Sequence, residues 1–220
     1  MGLNQELKVH VTTKPYLHFK LYTRKNFTFY PGLNNLVGCN GSGKSTLIDI
    51  FLKPYFRDNG IPYIQWNDRR YGGNNLMDKM LNFDNDMEGL VAMFLSSEGE
   101  RISYGLLPVF KDIGRSFRQY SGQTVAVLLD AIDSGMSADE IIETRKCILD
   151  VVIPDAETLG VTPYFILATN NYEWCDDERI HNINISNGQK LFIHSYEEYR
   201  DIILKSRELK DKLRGYSIDE

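Results

Sequence analysis

Nine residues, Gly38-Cys39-Asn40-Gly41-Ser42-Gly43-Lys44-Ser45-Thr46, fit the pattern G-x-x-x-x-G-K-[ST]. Nothing else in the chain restricts the fold as strongly. Glycines let a backbone curl until successive N–H groups face one concavity, which favours an anion. Lys44 would bring a positive charge to the β- and γ-phosphates of a nucleotide. The hydroxyl of Ser45 is a hard oxygen ligand of the kind Mg²⁺ prefers. The motif requires a strand before it and a helix after it, whose N-terminus adds a positive end. Both are legible. Leu33 to Val37 reads as a short buried strand, and Thr46 to Phe51 is an apolar helix expected to stop near Pro54.

The 220 residues predict one compact domain, long enough to bury a full core. Cys39, Cys147 and Cys175 are scattered and odd in number, which fits neither a disulfide framework nor a metal-ligand spacing and points to a reducing cytoplasm. The N-terminus has no signal-peptide pattern, and no apolar run is long enough to cross a bilayer, so no membrane partner is expected. A net charge of −5 argues against a surface coated for nucleic acid, without excluding a local basic groove.

Along the chain, Leu7 to Val11, Leu17 to Leu21 and Asn26 to Phe29 are short β-rich segments ahead of the glycine loop. Tyr16 and Tyr22 in this region are candidates for stacking on a base, with ordinary sheet packing the plainer expectation. Ile61 to Trp66 is a strand containing Gln65, and Asn67 to Asn75 a polar loop. Leu76 to Phe83 is a short helix, and Met87 to Leu95 is ambiguous. Glu100 to Gln119 has helical spacing that Gly105 and Pro108 should kink or whose start they should delay. Val125 to Leu129 is a continuous apolar run ending in Asp130, as a central parallel strand would be. Ser137 with Glu140 forms a capping box opening a helix to about Asp150. Tyr164 to Ala168 is a second buried strand, and Asn187-Gly188 marks a hairpin. Ser195 with Glu198 caps a last helix that should run to near Leu213 before Gly215. The sum is an α/β chain with a β-rich N-terminal part.

Asp130, at the end of its apolar strand, fits a carboxylate that holds the shell of a Mg²⁺ ion at the glycine loop. Between these two motifs lies Ser96-Ser97-Glu98-Gly99-Glu100, and here the residues resemble a family. This segment is similar to the signature loop of ABC-type ATPases, in the S-x-G-[QE] form of SMC-like and RecF-like heads. Gly38 to Leu47 resembles their P-loop, Asp130 to Ser137 their Walker B and D-loop, and Ile166 to Asn170 their switch strand. Gln65 matches the Q-loop glutamine in type and rough position. The order of five motifs is more specific than any one of them.

The resemblance implies a P-loop NTPase fold with a mostly parallel sheet flanked by helices and an antiparallel N-terminal part. It also implies a mechanism in which two heads sandwich two ATP molecules. Gly38, Asn40, Gly41, Ser42, Gly43, Lys44, Ser45 and Thr46 of one copy would grip the nucleotide, with Ser97 and Gly99 of the other. Ser45, Asp130 and Gln65 would attend Mg²⁺, and Gln65, Asp133 and Asn170 would line the reaction. An ATP-dependent homodimer and a protein partner follow from the same resemblance, in DNA repair, chromosome maintenance or defence against foreign DNA. Tyr120-Ser121-Gly122-Gln123 is a rival signature loop, too close to the Asp130 strand to leave room for the helix between.

Two positions depart from the family. Ala131 stands where a glutamate normally serves as general base, and removal of such a base costs about 10²–10⁴ in rate. Either the chain binds ATP and barely turns it over, or the alanine was introduced to trap the bound state. Asn170 replaces the usual switch histidine; it keeps hydrogen-bonding capacity but cannot act as an acid or a cation. The short stretch between Lys44 and Ser97 leaves no room for a coiled-coil arm or a large helical subdomain. That weakens a long-reach DNA tether and, with the missing L-S-G-G-Q run, a transporter subunit. Arg69-Arg70, and Lys205, Arg207, Lys210, Lys212 and Arg214, are the basic clusters, a solvated face or a contact to a nucleic-acid backbone.

Overall fold

The computed structural model describes residues 6–12, 21–67 and 98–215. Six strands form one sheet in the order β4-β5-β6-β3-β7-β8. They are β3 (Gly32–Val37), β4 (Tyr63–Asn67), β5 (Thr124–Asp130), β6 (Thr162–Ala168), β7 (His181–Asn184) and β8 (Lys190–Leu191). Every pairing is parallel except β7 with β8, the hairpin at Asn187-Gly188. A separate antiparallel pair, β1 (Leu7–His10) and β2 (Asn26–Phe29), precedes them. This is the expected fold class: a mixed α/β chain with a mostly parallel sheet and an antiparallel N-terminal part.

The central strands β5 and β6 are continuous apolar runs because both faces of the sheet are covered, and β3 beside them is buried too but carries the hydrogen-bonded Asn34 and Asn35. Along β5, Val125, Val127 and Leu129 face one layer, with Val109, Ile113 and Phe117 of α2 (Glu98–Gln119). Ile141 of α3, which opens at Ala138–Cys147, joins the same layer. The alternate residues Ala126 and Leu128 face Leu47, Ile48, Phe51 and Phe56, and on the same side Phe27 and Phe29 of the small N-terminal pair. Burying each such side chain is worth about 1.5–3 kcal/mol, so the two layers fix the strand register around the glycine loop.

Two helices outrun their expected ends. α1 starts at Lys44–Thr46, passes through a π-helical stretch at Leu47–Leu52 and ends with Lys53–Asp58, so it does not stop near Pro54. α3 likewise runs on through a π-helical stretch at Ile148–Val152 and through Ile153–Thr158, past the expected end at Asp150. The device is the same in both. Lys53 N–H donates to Ile48 O and Ile153 N–H to Ile148 O, five residues back, one residue before Pro54 and Pro154. The wider turn takes up the missing donor and the ring that would break an α-helix.

The remaining expectations fall mostly as drawn. α2 runs as one element through Gly105 and Pro108. The last helix, α4 (Tyr196–Arg214), opens where Ser195 Oγ accepts from Glu198 N and closes on Gly215, whose φ of 73° is the left-handed cap. The helix expected at 76–83, the ambiguous 87–95 segment, the loop after Asn67, Arg69-Arg70, Tyr16 and Ser97 lie outside the described residues. So does the strand expected at Leu17 to Leu21, save Leu21.

Candidate functional site

β3 ends at Val37 and α1 begins at Lys44, so the glycine loop bridges the C-terminal end of a central strand and a helix N-terminus. The cradle leaves little room for side chains. A Cβ on Gly38 would lie 2.3 Å from Ile185 Cγ2. Gly43 has φ 103°, which an L-residue rarely adopts, and a Cβ there would come within 3.0 Å of Tyr22 Oη. No side chain caps α1, so the donors of its first turn are left for a ligand. Ser42 is buried in the loop, and its Oγ has no hydrogen-bond partner among the described residues.

Lys44 is buried, its Nζ donating to Gly38 O at 2.6 Å, Cys39 O at 3.3 Å and Asn170 Oδ1 at 2.9 Å. Burial lowers its pKa to about 8, against the opposing pull of Cys39, Asp133 and Asp130. Beside it, Ser45 Oγ donates to Asp130 Oδ1 at 2.9 Å. Two motifs 85 positions apart thus meet in one hydrogen bond. The donor set is a hydroxyl and a carboxylate, the oxygen chemistry that suits Mg²⁺. The concave anion cradle, the buried lysine and this oxygen pair fit a magnesium-bound polyphosphate.

Asn170 is fixed from three sides. Its N–H donates to Asp133 Oδ2 at 2.7 Å, its carbonyl accepts from Tyr199 Oη at 2.7 Å, and its side chain holds Lys44. Asp133 also accepts from Asn171 Nδ2 at 3.0 Å; it is buried, and burial raises its pKa against those bonds. Its carboxylate is thus committed to the segment carrying Asn170. Ala131 has φ 55°, the one positive value among the described non-glycine residues. Its N–H donates to Ala168 O at 2.9 Å, which locks the chain reversal directly after Asp130.

Gln65 stands further off. On β4 it pairs in register with Leu128, two residues before Asp130, and its Nε2 donates to Asp49 Oδ1 at 3.2 Å. Asn40 and Gly41 are exposed at the loop crest, and Thr46 is half-buried in the first turn of α1. Gly99 lies in the first turn of α2; Ser97, just before it, lies outside the described residues. The rival segment is the turn between α2 and β5, at the end of β5 remote from Asp130. There Ser121 Oγ donates to Leu159 O at 2.6 Å. Tyr22 does not offer a stacking face. It is buried edge-on against Phe27 and Phe51, and its Oη donates to Gly43 O at 2.8 Å.

Several supports of the site carry no local sequence signal. Asn35, buried on β3, accepts from Thr169 Oγ1 at 2.7 Å and so fixes the residue before Asn170. Helix α4 holds the loop itself. Ser206 Oγ accepts from Cys39 N at 3.1 Å, and Arg214 Nη2 donates to Gly41 O at 2.6 Å.

No family model matches this sequence, and no curated protein matches it. Among solved structures, the chain is similar to an ATP-binding cassette of an ABC transporter in its ADP conformation, at 14% identity and a TM-score of 0.48. That alignment covers 98% of this chain and 100% of the other. A nucleotide-free ATP-binding cassette from an ABC transporter aligns over the same shares, at 14% identity and a TM-score of 0.46.

Proposed function

We propose that this chain is an ATP-binding head of the ABC/SMC type, which pairs with a second copy around Mg-ATP and passes that change to a partner protein. The supporting observation is the Ser45–Asp130 hydrogen bond beside the buried Lys44, at the mouth of the glycine cradle. In this reading the backbone around Gly41 to Lys44 would hold the phosphates, and the Lys44 ammonium would give up carbonyl partners to pair with phosphate charge. Ser45 and Asp130 would hold Mg²⁺, which would supply neutralisation of phosphate charge. Asn170, anchored by Asp133 and Tyr199, donates an amide hydrogen bond on the γ side.

The weak step is water activation. Ala131 offers only a methyl group at the general-base position, and Asp133 is buried and engaged. Binding without efficient turnover is the consequence, and a non-hydrolysing ATP sensor or scaffold is the second reading that Ala131 favours. Light scattering tests the first. ATP with Mg²⁺ should convert wild-type monomer to dimer, and Lys44→Ala should stay monomeric; equal dimerisation of both overturns the proposal. Turnover separates the two readings. Ala131→Glu should raise the ATPase rate by about 10²-fold or more in a disabled ATPase, whereas an unchanged rate identifies a binding module.

A further inference from the structure

The outer flank of the glycine loop opens onto a cavity of about 350 Å³, between the loop, Asn170 and α4. The charged residues lining it are Arg200, Arg207 and Lys210, with no carboxylate among them. That segregation runs against a net charge of −5 and against α4 itself, which also carries Glu197, Glu198, Asp201, Glu208 and Asp211. At 3.6 residues per turn, positions 200, 207 and 210 share one side of the helix; Glu197, Glu198, Asp201 and Glu208 fall away from it, while Asp211 stays beside it and pairs with Lys210 at 3.5 Å. Among the described residues, Arg200 and Arg207 make no ion pair.

The same cavity has an aromatic wall. Tyr196 lines it and is 58% exposed. Two further rings back it, Tyr172 at 5.9 Å in edge contact and Tyr199 at 6.4 Å. Asn40 and Asn170 add amide groups on the opposite wall. The geometry is held, because α4 is tied to Cys39, Gly41 and Asn170 by three hydrogen bonds. Cations at one end of a groove and a supported aromatic face at the other are the two elements of sequence-tolerant recognition of a nucleic-acid strand.

We propose that this groove binds a nucleotide unit, its phosphate on Arg200, Arg207 and Lys210 and its base against Tyr196. The unit is presented by a single strand of nucleic acid or as a free nucleotide. An acidic protein segment would satisfy the cations and leave Tyr196 without a role. The groove shares Gly38, Asn40 and Asn170 with the proposed ATP site, while Arg200, Arg207, Lys210 and Tyr196 belong to it alone.

The test is fluorescence anisotropy of a fluorescein-labelled oligothymidylate titrated with the full chain at low salt. Wild-type protein should bind, and the double variant Arg200→Glu/Arg207→Glu should weaken binding by about 10-fold or more, since it removes two phosphate contacts. Tyr196→Ala should cost on the order of 5- to 100-fold, the usual range for a lost base–aromatic stack, while Tyr196→Phe keeps wild-type affinity. Ser45→Ala, whose hydroxyl meets Asp130 and which does not line the groove, should bind the strand like wild type while losing magnesium-dependent ATP binding, so failure of the ATP site and failure of the groove are read separately. Displacement by thymidine monophosphate at matched phosphate concentration identifies the free nucleotide as a ligand; resistance to it identifies the strand. No binding by wild type, wild-type affinity in the double variant, or displacement by polyglutamate as effective as by unlabelled strand overturns the proposal.

Discussion

Lys44 carries its charge where water is nearly absent. Burial favours the neutral amine and brings its pKa from the ordinary 10.5 to about 8. The sign of the linkage follows. Between pH 8 and 10.5 the unfolded lysine holds a proton that the folded one has lost, so stability rises with pH across that window. Below it, the cost of the buried ammonium is felt in full. A triphosphate beside Nζ favours the charged form, so ATP binding takes up a proton above about pH 8 and weakens as pH rises further. Calorimetry in two buffers of different ionisation enthalpy, at about pH 9, should show that uptake; a heat independent of buffer would contradict it. The left-handed backbone at Ala131 was not legible, because alanine gives no local sign of that conformation.

At the scale of elements, the strands and caps were written locally and the helix lengths were not. The apolar runs of β5 and β6, the Asn187-Gly188 hairpin and the Ser195 and Gly215 caps each depend on a few adjacent residues. Pro54 and Pro154 predict helix ends by the same local logic, yet both helices continue by widening one turn beforehand. The apolar faces of those final turns explain the preference, since Phe56 and Ala156 are fully buried. The function of α4 is less local still. Ser206 reaches Cys39 across 167 positions, and nothing in the spacing of the last helix announces that contact. Removing the acceptor leaves a buried N–H unpaired, at about 1–3 kcal/mol. Ser206→Ala should therefore lower the unfolding free energy by that amount, read as a lower urea midpoint with no change of slope, and an unchanged midpoint would show that α4 does not hold the loop.

At the scale of the whole molecule, parallel strands deliver their C-terminal ends to one edge of the sheet, and chemistry collects there. β3 leads into the glycine loop, β5 ends in Asp130, and β6 leads to Asn170, so three of the five motifs meet because the strand order makes these strands neighbours. The order of the motifs along the chain anticipated that convergence. It could not give the position of Gln65, which engages Asp49 on α1 rather than the Ser45–Asp130 pair. The central claim is simpler than the assembly and comes before it: one magnesium-bound ATP sits on Lys44, Ser45 and Asp130. Isothermal titration with ATP tests it directly. Wild-type protein should bind one ATP per chain in Mg²⁺ and more weakly in EDTA, Lys44→Ala should show no binding heat, and Asp130→Asn should lose the advantage that Mg²⁺ gives. Equal binding by wild type and Lys44→Ala, or a magnesium effect unchanged in Asp130→Asn, would contradict the account.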